Sequence, residues 1–342
     1  MKLVFRMFLL CSVLCLICSN SWAYADTYAP KIGHPTKAWI TVLTCAEDQE
    51  KQLCWIAVRV GNRFSIPLIL PEESTRIYCY DEKTNMLSWV FTSFQRISTI
   101  APFNTGFIFL RDHYAFLDYF LDEEICFYDT VSKRLTVFTK PRTVGKLLAV
   151  HDDIVYYQGA LAYNDTDVYA YNINTQEIRT ICKDVNTAYA DRQHLYIISN
   201  THPVRLDIYD IDTEDLTDSV TLKTNDDIIE AGDGKALAAD GTVYFLDHSD
   251  TQISDDSLGS KKIDTGWIDE DHLIIVSDNV LESYTIGTER IEQVFSYILD
   301  DDILNVNMLH NRIILLHKGE VMLIIMDVDG KNELLVHFPS AN

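Results

Sequence analysis

Val168-Tyr169-Ala170-Tyr171-Asn172, followed by Ile173-Asn174-Thr175-Gln176 and then Glu177-Ile178-Arg179-Thr180-Ile181, reads as a β-branched and aromatic strand, a turn and a second strand. The opening phrase, apolar residues leading to an anchor and then an acid or amide, recurs along the chain. It reads Ile77-Tyr78-Cys79-Tyr80-Asp81, Ile125-Cys126-Phe127-Tyr128-Asp129 and Leu206-Asp207-Ile208-Tyr209-Asp210. It continues more loosely as Val243-Tyr244-Phe245-Leu246-Asp247, Leu281-Glu282-Ser283-Tyr284-Thr285 and Leu323-Ile324-Ile325-Met326-Asp327. The anchors stand at 80, 128, 171, 209, 246, 284 and 326. Upstream of the third copy lie two more apolar strands, 147–150 and 154–157, broken by His151-Asp152-Asp153. Residues 188–190, 194–198, 206–211 and 219–222 repeat that scheme. Four short strands separated by turn formers make an antiparallel meander. Recurrence at this period predicts an all-β fold, a β-propeller with one blade per repeat. The count is seven blades of four antiparallel strands, with six or eight as alternatives, because the first repeat carries an additional apolar run at 64–70.

The N-terminus reads differently. Lys2 and Arg6 precede an apolar run over 7–18, and Ala23-Tyr24-Ala25 supplies the small residues a signal peptidase recognises. A signal peptide over 1–25 and a single propeller domain over 26–342 are expected. The run is shorter than the ~20 residues of a membrane span, so the mature chain is expected in the periplasm or outside the cell, without membrane insertion.

Loss of Lys2 and Arg6 takes the formal net charge from −23 to −25. Residues 207–302 carry 26 acidic and 5 basic side chains, so most of the excess lies on blades four to six. Such a field repels nucleic acid and anionic membranes, favours cations or a basic partner, and keeps an exported protein monomeric.

Five cysteines follow residue 25: Cys45, Cys54, Cys79, Cys126 and Cys182. Cys45 and Cys54 flank a polar stretch between two apolar runs, which suggests a disulfide across a hairpin. Cys79 and Cys126 lie inside strand patterns, as small buried hydrophobes do. None has CxxC spacing, and neither the thiols nor the ten scattered histidines form a metal-ligand set. Asp327-Val328-Asp329-Gly330 lacks the first and twelfth ligands of a calcium loop, and reads as a tight turn.

The Val-Tyr-x-Tyr strand running into Asn172-Ile173-Asn174-Thr175, and into Asp210-Ile211-Asp212-Thr213, resembles the repeats of bacterial exported propellers of the quinoprotein-like, YVTN-like and TolB-like class. The pairing of Gly-His with Trp-Asp that marks WD40 repeats is absent, as are the Gly-Gly of kelch, the Asp-box of sialidases and the Trp-ending motif of quinone-binding blades. The resemblance therefore implies no pyrroloquinoline, and no cofactor is expected.

Nucleophile elbows, His-Glu-x-x-His, P-loops and dinucleotide glycines are also absent. The expected function is non-catalytic: a binding or scaffold protein for a protein partner or surface glycan. The propeller fold implies a ligand rim built from the loops between second and third strands and between blades. That places Arg111, His113, Tyr114 and Tyr119 together with Lys140, Arg142, Tyr157, Tyr163, His202 and Arg205 as candidates, since arginine and aromatics mark interface centres. These loops read as longest in blades two and three. The alternative is a carbohydrate hydrolase or lyase using carboxylates such as Asp118, Asp122 or Asp165.

Overall fold

The computed structural model describes residues 40–61, 73–93, 95–113, 122–139, 144–160, 165–201, 203–224, 226–246, 252–253, 258, 263, 265–269, 271–277, 279–287, 290–299, 303–309, 312–317 and 322–338. Among these residues lie seven four-stranded antiparallel sheets, each made of four consecutive strands. Blade 1 is β1 (Ile40–Asp48), β2 (Leu53–Gly61), β3 (Glu73–Asp81) and β4 (Met86–Ser93). Blade 2 is β5 (Ile97–Phe103), β6 (Gly106–His113), β7 (Asp122–Asp129) and β8 (Arg134–Val137). Blade 3 is β9 (Lys146–His151), β10 (Ile154–Gln158), β11 (Val168–Asn172) and β12 (Ile178–Cys182). Blade 4 is β13 (Val185–Ala190), β14 (His194–Ser199), β15 (Val204–Asp210) and β16 (Leu216–Leu222). Blade 5 is β17 (Ile228–Gly232), β18 (Lys235–Ala238), β19 (Val243–Phe245) and β20 (Gln252–Ile253). Blade 6 is β21 (Thr265–Ile268), β22 (His272–Ser277), β23 (Val280–Ile286) and β24 (Ile291–Ile298). Blade 7 is β25 (Ile303–Leu309), β26 (Arg312–His317), β27 (Met322–Asp327) and β28 (Leu334–His337). The chain is a seven-bladed β-propeller. The first strands line the axis, with β1 against both β5 and β25, β9 against β5 and β13, and β17 against β13 and β21.

The repeated phrase is the third strand of every blade. These strands are apolar on both faces because each sheet is sandwiched between two others. On β3, Ile77 and Cys79 pack with Phe107 and Phe109 of blade 2, while Tyr78 and Tyr80 turn to Ile314 and Leu323 of blade 7. The core is a ring of apolar layers between blades rather than one central mass.

The acid or amide that ends the phrase caps the turn to the fourth strand. Asn172 Oδ1 accepts the amides of Asn174 and Thr175 at 2.9 Å each, Asp129 Oδ1 those of Val131 and Ser132, and Asp210 Oδ1 that of Thr213 at 2.8 Å. Four residues after the cap a left-handed residue closes the turn, namely Asn85, Lys133, Gln176 and Glu214, with φ of 53° to 60°. Asp327 to Gly330 forms the corresponding turn in blade 7, with Gly330 N donating to Asp327 O and φ at 74°.

Neighbouring blades are stitched at the end where first and second strands join. Lys51 Nζ donates to Asn104 O at 2.7 Å, and Tyr156 Oη to Ile211 O at 2.9 Å. Gly234 N donates to Tyr196 Oη at 3.0 Å, and Arg312 pairs with Glu82 at 2.9 Å. The last of these links blades 7 and 1. No described strand crosses between these two blades; they meet through a layer that includes Ile56, Val58, Leu316 and Leu323. Among the described residues, side-chain packing and this ion pair join the two blades at the seam.

Two expectations need correction. Cys45 and Cys54 are thiols, not a disulfide. In the β1–β2 ladder Cys45 stands opposite Ile56 and Cys54 opposite Glu47. The cysteines are thus diagonal neighbours, a separation of roughly 7–8 Å that exceeds the usual disulfide span. The longest connections are also not in blades 2 and 3. Residues 62–72 of blade 1 and residues 254–264 between blades 5 and 6 are longer. The apolar run 64–70 lies outside the described residues.

Candidate functional site

At the end of the axis where first strands turn into second strands, the inner strands of five blades splay around a depression of about 380 Å³. Its wall includes Glu47, Asp191, Asp233 and Asp269 together with Trp267, Met308, Arg192 and His272. Strand polarity puts them there. Glu47 lies next to the end of β1, Asp191 and Asp233 follow β13 and β17, and Asp269 follows β21.

Two of these carboxylates are fixed by the turn they cap. Asp191 Oδ1 accepts the amides of Gln193 at 2.7 Å and His194 at 2.8 Å. Its Oδ2 accepts Tyr196 Oη at 2.5 Å and the amide of Asp233, in the next blade, at 2.8 Å. Burial would raise its pKa, but these donors outweigh it and hold the carboxyl below its ordinary value. Asp269 Oδ1 likewise accepts the amides of Asp271 at 3.0 Å and His272 at 2.7 Å. The imidazoles of His194 and His272 lie 3.7 and 3.4 Å from the same two carboxylates. The Asp-x-x-His recurrence therefore serves the turn, and in doing so fixes negative charge around Trp267. Among the described residues no three His, Cys, Asp or Glu side chains converge as metal ligands.

Deeper along the axis, three adjacent inner strands supply a polar cluster. Lys146 Nζ donates to Ala188 O at 2.8 Å and lies 4.0 Å from the centroid of the Tyr189 ring. Tyr189 Oη donates to Ile228 O at 3.0 Å. Burial pushes Glu230 up to about 7, against the pull of Lys146.

Of the residues expected on a ligand rim, Arg111, Tyr157 and Arg205 have described side chains. Arg111 is buried and forms an ion pair with Glu124, so it supports β6 and β7. Tyr157 is buried too, stacked on Tyr169 with centroids 5.3 Å apart. Arg205 is exposed on β15, where its Nε donates to Asp207 at 2.8 Å and Ser219 at 2.9 Å. These three are not gathered on one surface. Tyr114, Tyr119, Lys140, Arg142, Tyr163 and His202 lie outside the described residues, as does the side chain of His113. Of the carboxylates considered for catalysis, Asp165 accepts Tyr169 Oη at 2.9 Å and its own loop amide, Asp167 N, at 3.2 Å. Asp118 and the Asp122 side chain lie outside the described residues.

Sequence reasoning missed the mouth because its residues are scattered from 47 to 309. One signal was present: an aspartate just after the first strand, at 191, 233 and 269.

No protein-family model and no curated protein sequence matches the chain. Solved propellers are similar in fold. Atg21 of the Kl series, in complex with the coiled coil of Atg16, is 10% identical over 88% of this chain and all of its own, at a TM-score of 0.58. Kluyveromyces lactis Hsv2 is 10% identical over 84% of this chain and 93% of its own, at 0.56. The propeller domain of the trilobed protease from Pyrococcus furiosus, described as having an open velcro topology, is 10% identical over 86% and 98%, at 0.56. At that identity the likeness establishes the fold: this chain is a β-propeller.

Proposed function

We propose that the chain is a non-catalytic binding propeller, exported through residues 1–25, which seats a basic segment of a protein partner in its acidic axial mouth. One observation carries the reading: four carboxylates from four blades share with the half-buried Trp267 the wall of one depression wide enough for side chains. A lysine or arginine entering there gains charge-assisted hydrogen bonds and the face of the Trp267 ring. Two of the carboxylates are pre-positioned by turn amides, so little ordering is lost on binding. The acidic stretch over 207–302 draws a basic partner toward blades 4 to 6, three of the blades that line the mouth. Nucleic acid and anionic membrane are repelled by that field, and the mature chain is taken as a monomer.

The exported protein is the material to test, and N-terminal sequencing is expected to read from Asp26; a chain beginning at Met1 refutes export by cleavage. A lysine- and arginine-rich peptide titrated into it should quench Trp267 fluorescence. Glu47→Gln with Asp233→Asn should weaken binding roughly tenfold or more, at about 1.4 kcal/mol per tenfold. Glu177→Gln with Glu292→Gln removes the same charge from exposed outer positions and should leave affinity nearly unchanged. Equal losses in the two pairs would reduce the effect to overall charge and overturn the site. Binding of a neutral oligosaccharide at the mouth would instead assign the glycan reading.

A further inference from the structure

Asp112 on β6 and Glu123 on β7 stand directly opposite one another in the ladder, next to its last pair, His113 and Asp122. Asp112 is 2% exposed. Its Oδ2 and Glu123 Oε2 are buried without a hydrogen-bond partner, and Ser98 of β5 lies beside Glu123. Two ionised carboxylates across a non-solvated ladder are two acceptors facing each other, with neither supplying a hydrogen. Like charges in that position repel, and an unsatisfied buried polar atom is costly.

Around the pair, β2 brings Arg59, the connection into β5 brings Arg96 and β5 brings Ser98, while Glu123 also bridges Val144 ahead of β9. Arg111 and Glu124, adjacent to the pair on the same two strands, are committed to each other. Arg96 acts on both carboxylates and Arg59 on Asp112, but burial outweighs them. The cluster offers three oxygens where calcium takes six to eight. What is missing is a single donor between two acceptors.

We propose that Asp112 and Glu123 hold one proton between them at neutral pH, and that its release loosens the end of the β6–β7 ladder, making this corner of the propeller a pH-sensitive latch. Burial raises both carboxyls, Glu123 to about 7 with Asp112 adding to the rise while Ser98 and Arg96 oppose it. The sign follows from linkage. A carboxyl whose folded pKa is raised contributes stability that is complete below its unfolded value near 4.5 and is lost as pH climbs through about 7. The pair lies next to the last pair of the β6–β7 ladder, so proton loss acts on that ladder end.

The test compares melting temperatures of the mature protein with those of Glu123→Gln and Asp112→Asn across pH 5 to 8.5. Either amide supplies the missing donor permanently. Each variant should melt with the parent at pH 5 and above it by about 2 °C or more at pH 8. A difference that does not change with pH overturns the proposal. Infrared spectroscopy of the parent gives a readout independent of variant folding. A protonated-carboxyl band at pH 6 should fade by pH 8.5, and it should persist at pH 6 in Glu230→Gln, which removes the other carboxyl titrating near 7. Loss of the band in Glu230→Gln would assign the proton to the axial cluster and sink the latch.

Discussion

Asp191 does more than cap a hairpin. It collects four donors from two blades, two of them turn amides of its own blade, one the Tyr196 hydroxyl and one an amide of blade 5. Replacing it with alanine orphans these donors in a half-buried site, and should cost about 2–3 kcal/mol in urea unfolding. Asp191→Asn, which keeps an acceptor, should lose less. Because its pKa is depressed in the folded state, this stabilisation is present above the ordinary value of 3.8 and disappears as pH falls below it. An acid titration of stability should therefore be shallower in Asp191→Ala than in the parent. Parallel titrations would mean that the carboxylate is not ionised in this network. Asp129 behaves alike at an exposed turn, where Ser132 and Thr105 hold it down to about 2.

At the scale of elements, the described strands of blades 1 and 7 meet through a packed apolar layer and the Arg312–Glu82 pair. Leu323 of β27 is fully buried in that layer. Leu323→Ala should cost about 2–5 kcal/mol, the range for a large-to-small change in a core. Ile178→Ala, on the half-exposed outer strand β12, should change stability by less than about 0.5 kcal/mol. If closure depends on this layer, hydrogen exchange in Leu323→Ala should rise first in β1 and β25. A rise spread evenly over seven blades would show that the seam is no weaker than its neighbours. Outer strands such as β16 and β24 expose apolar side chains, Leu216, Val294 and Ile298, because a fourth strand has only one sheet neighbour and faces water on its outer edge.

The whole molecule is governed by its charge. With a net charge of −23, and 26 of the acids within 207–302, blades 4 to 6 repel themselves at low ionic strength. Raising sodium chloride from about 10 mM to about 0.5 M shortens the screening length from about 30 Å to a few Å. The melting temperature should rise with salt over that range, while affinity for a basic peptide at the mouth should fall. A melting temperature that is flat or declines would show that local ion pairs outweigh the general repulsion.

Sequence alone determined the seven-fold repeat, the four-strand unit and the third strand as its most legible member. Residues such as Val168 to Asn172 fix these locally, through β-branched and aromatic strands ended by an acid or amide that captures turn amides. Thus Tyr80, Tyr128, Tyr171, Tyr209 and Tyr284 all fall on third strands, and Asp327 to Gly330 forms a turn. The two-faced apolar pattern also foretold sheets packed on both sides. Tertiary structure decided the rest. It placed Arg111 in an ion pair and Tyr157 in the core, because orientation about a strand depends on register with neighbours that lie far away in sequence. It set Cys45 and Cys54 out of register, which no spacing reveals. It brought Glu47, Asp191, Asp233, Trp267 and Asp269 to one mouth, since closing a ring juxtaposes equivalent strand ends whatever their separation along the chain.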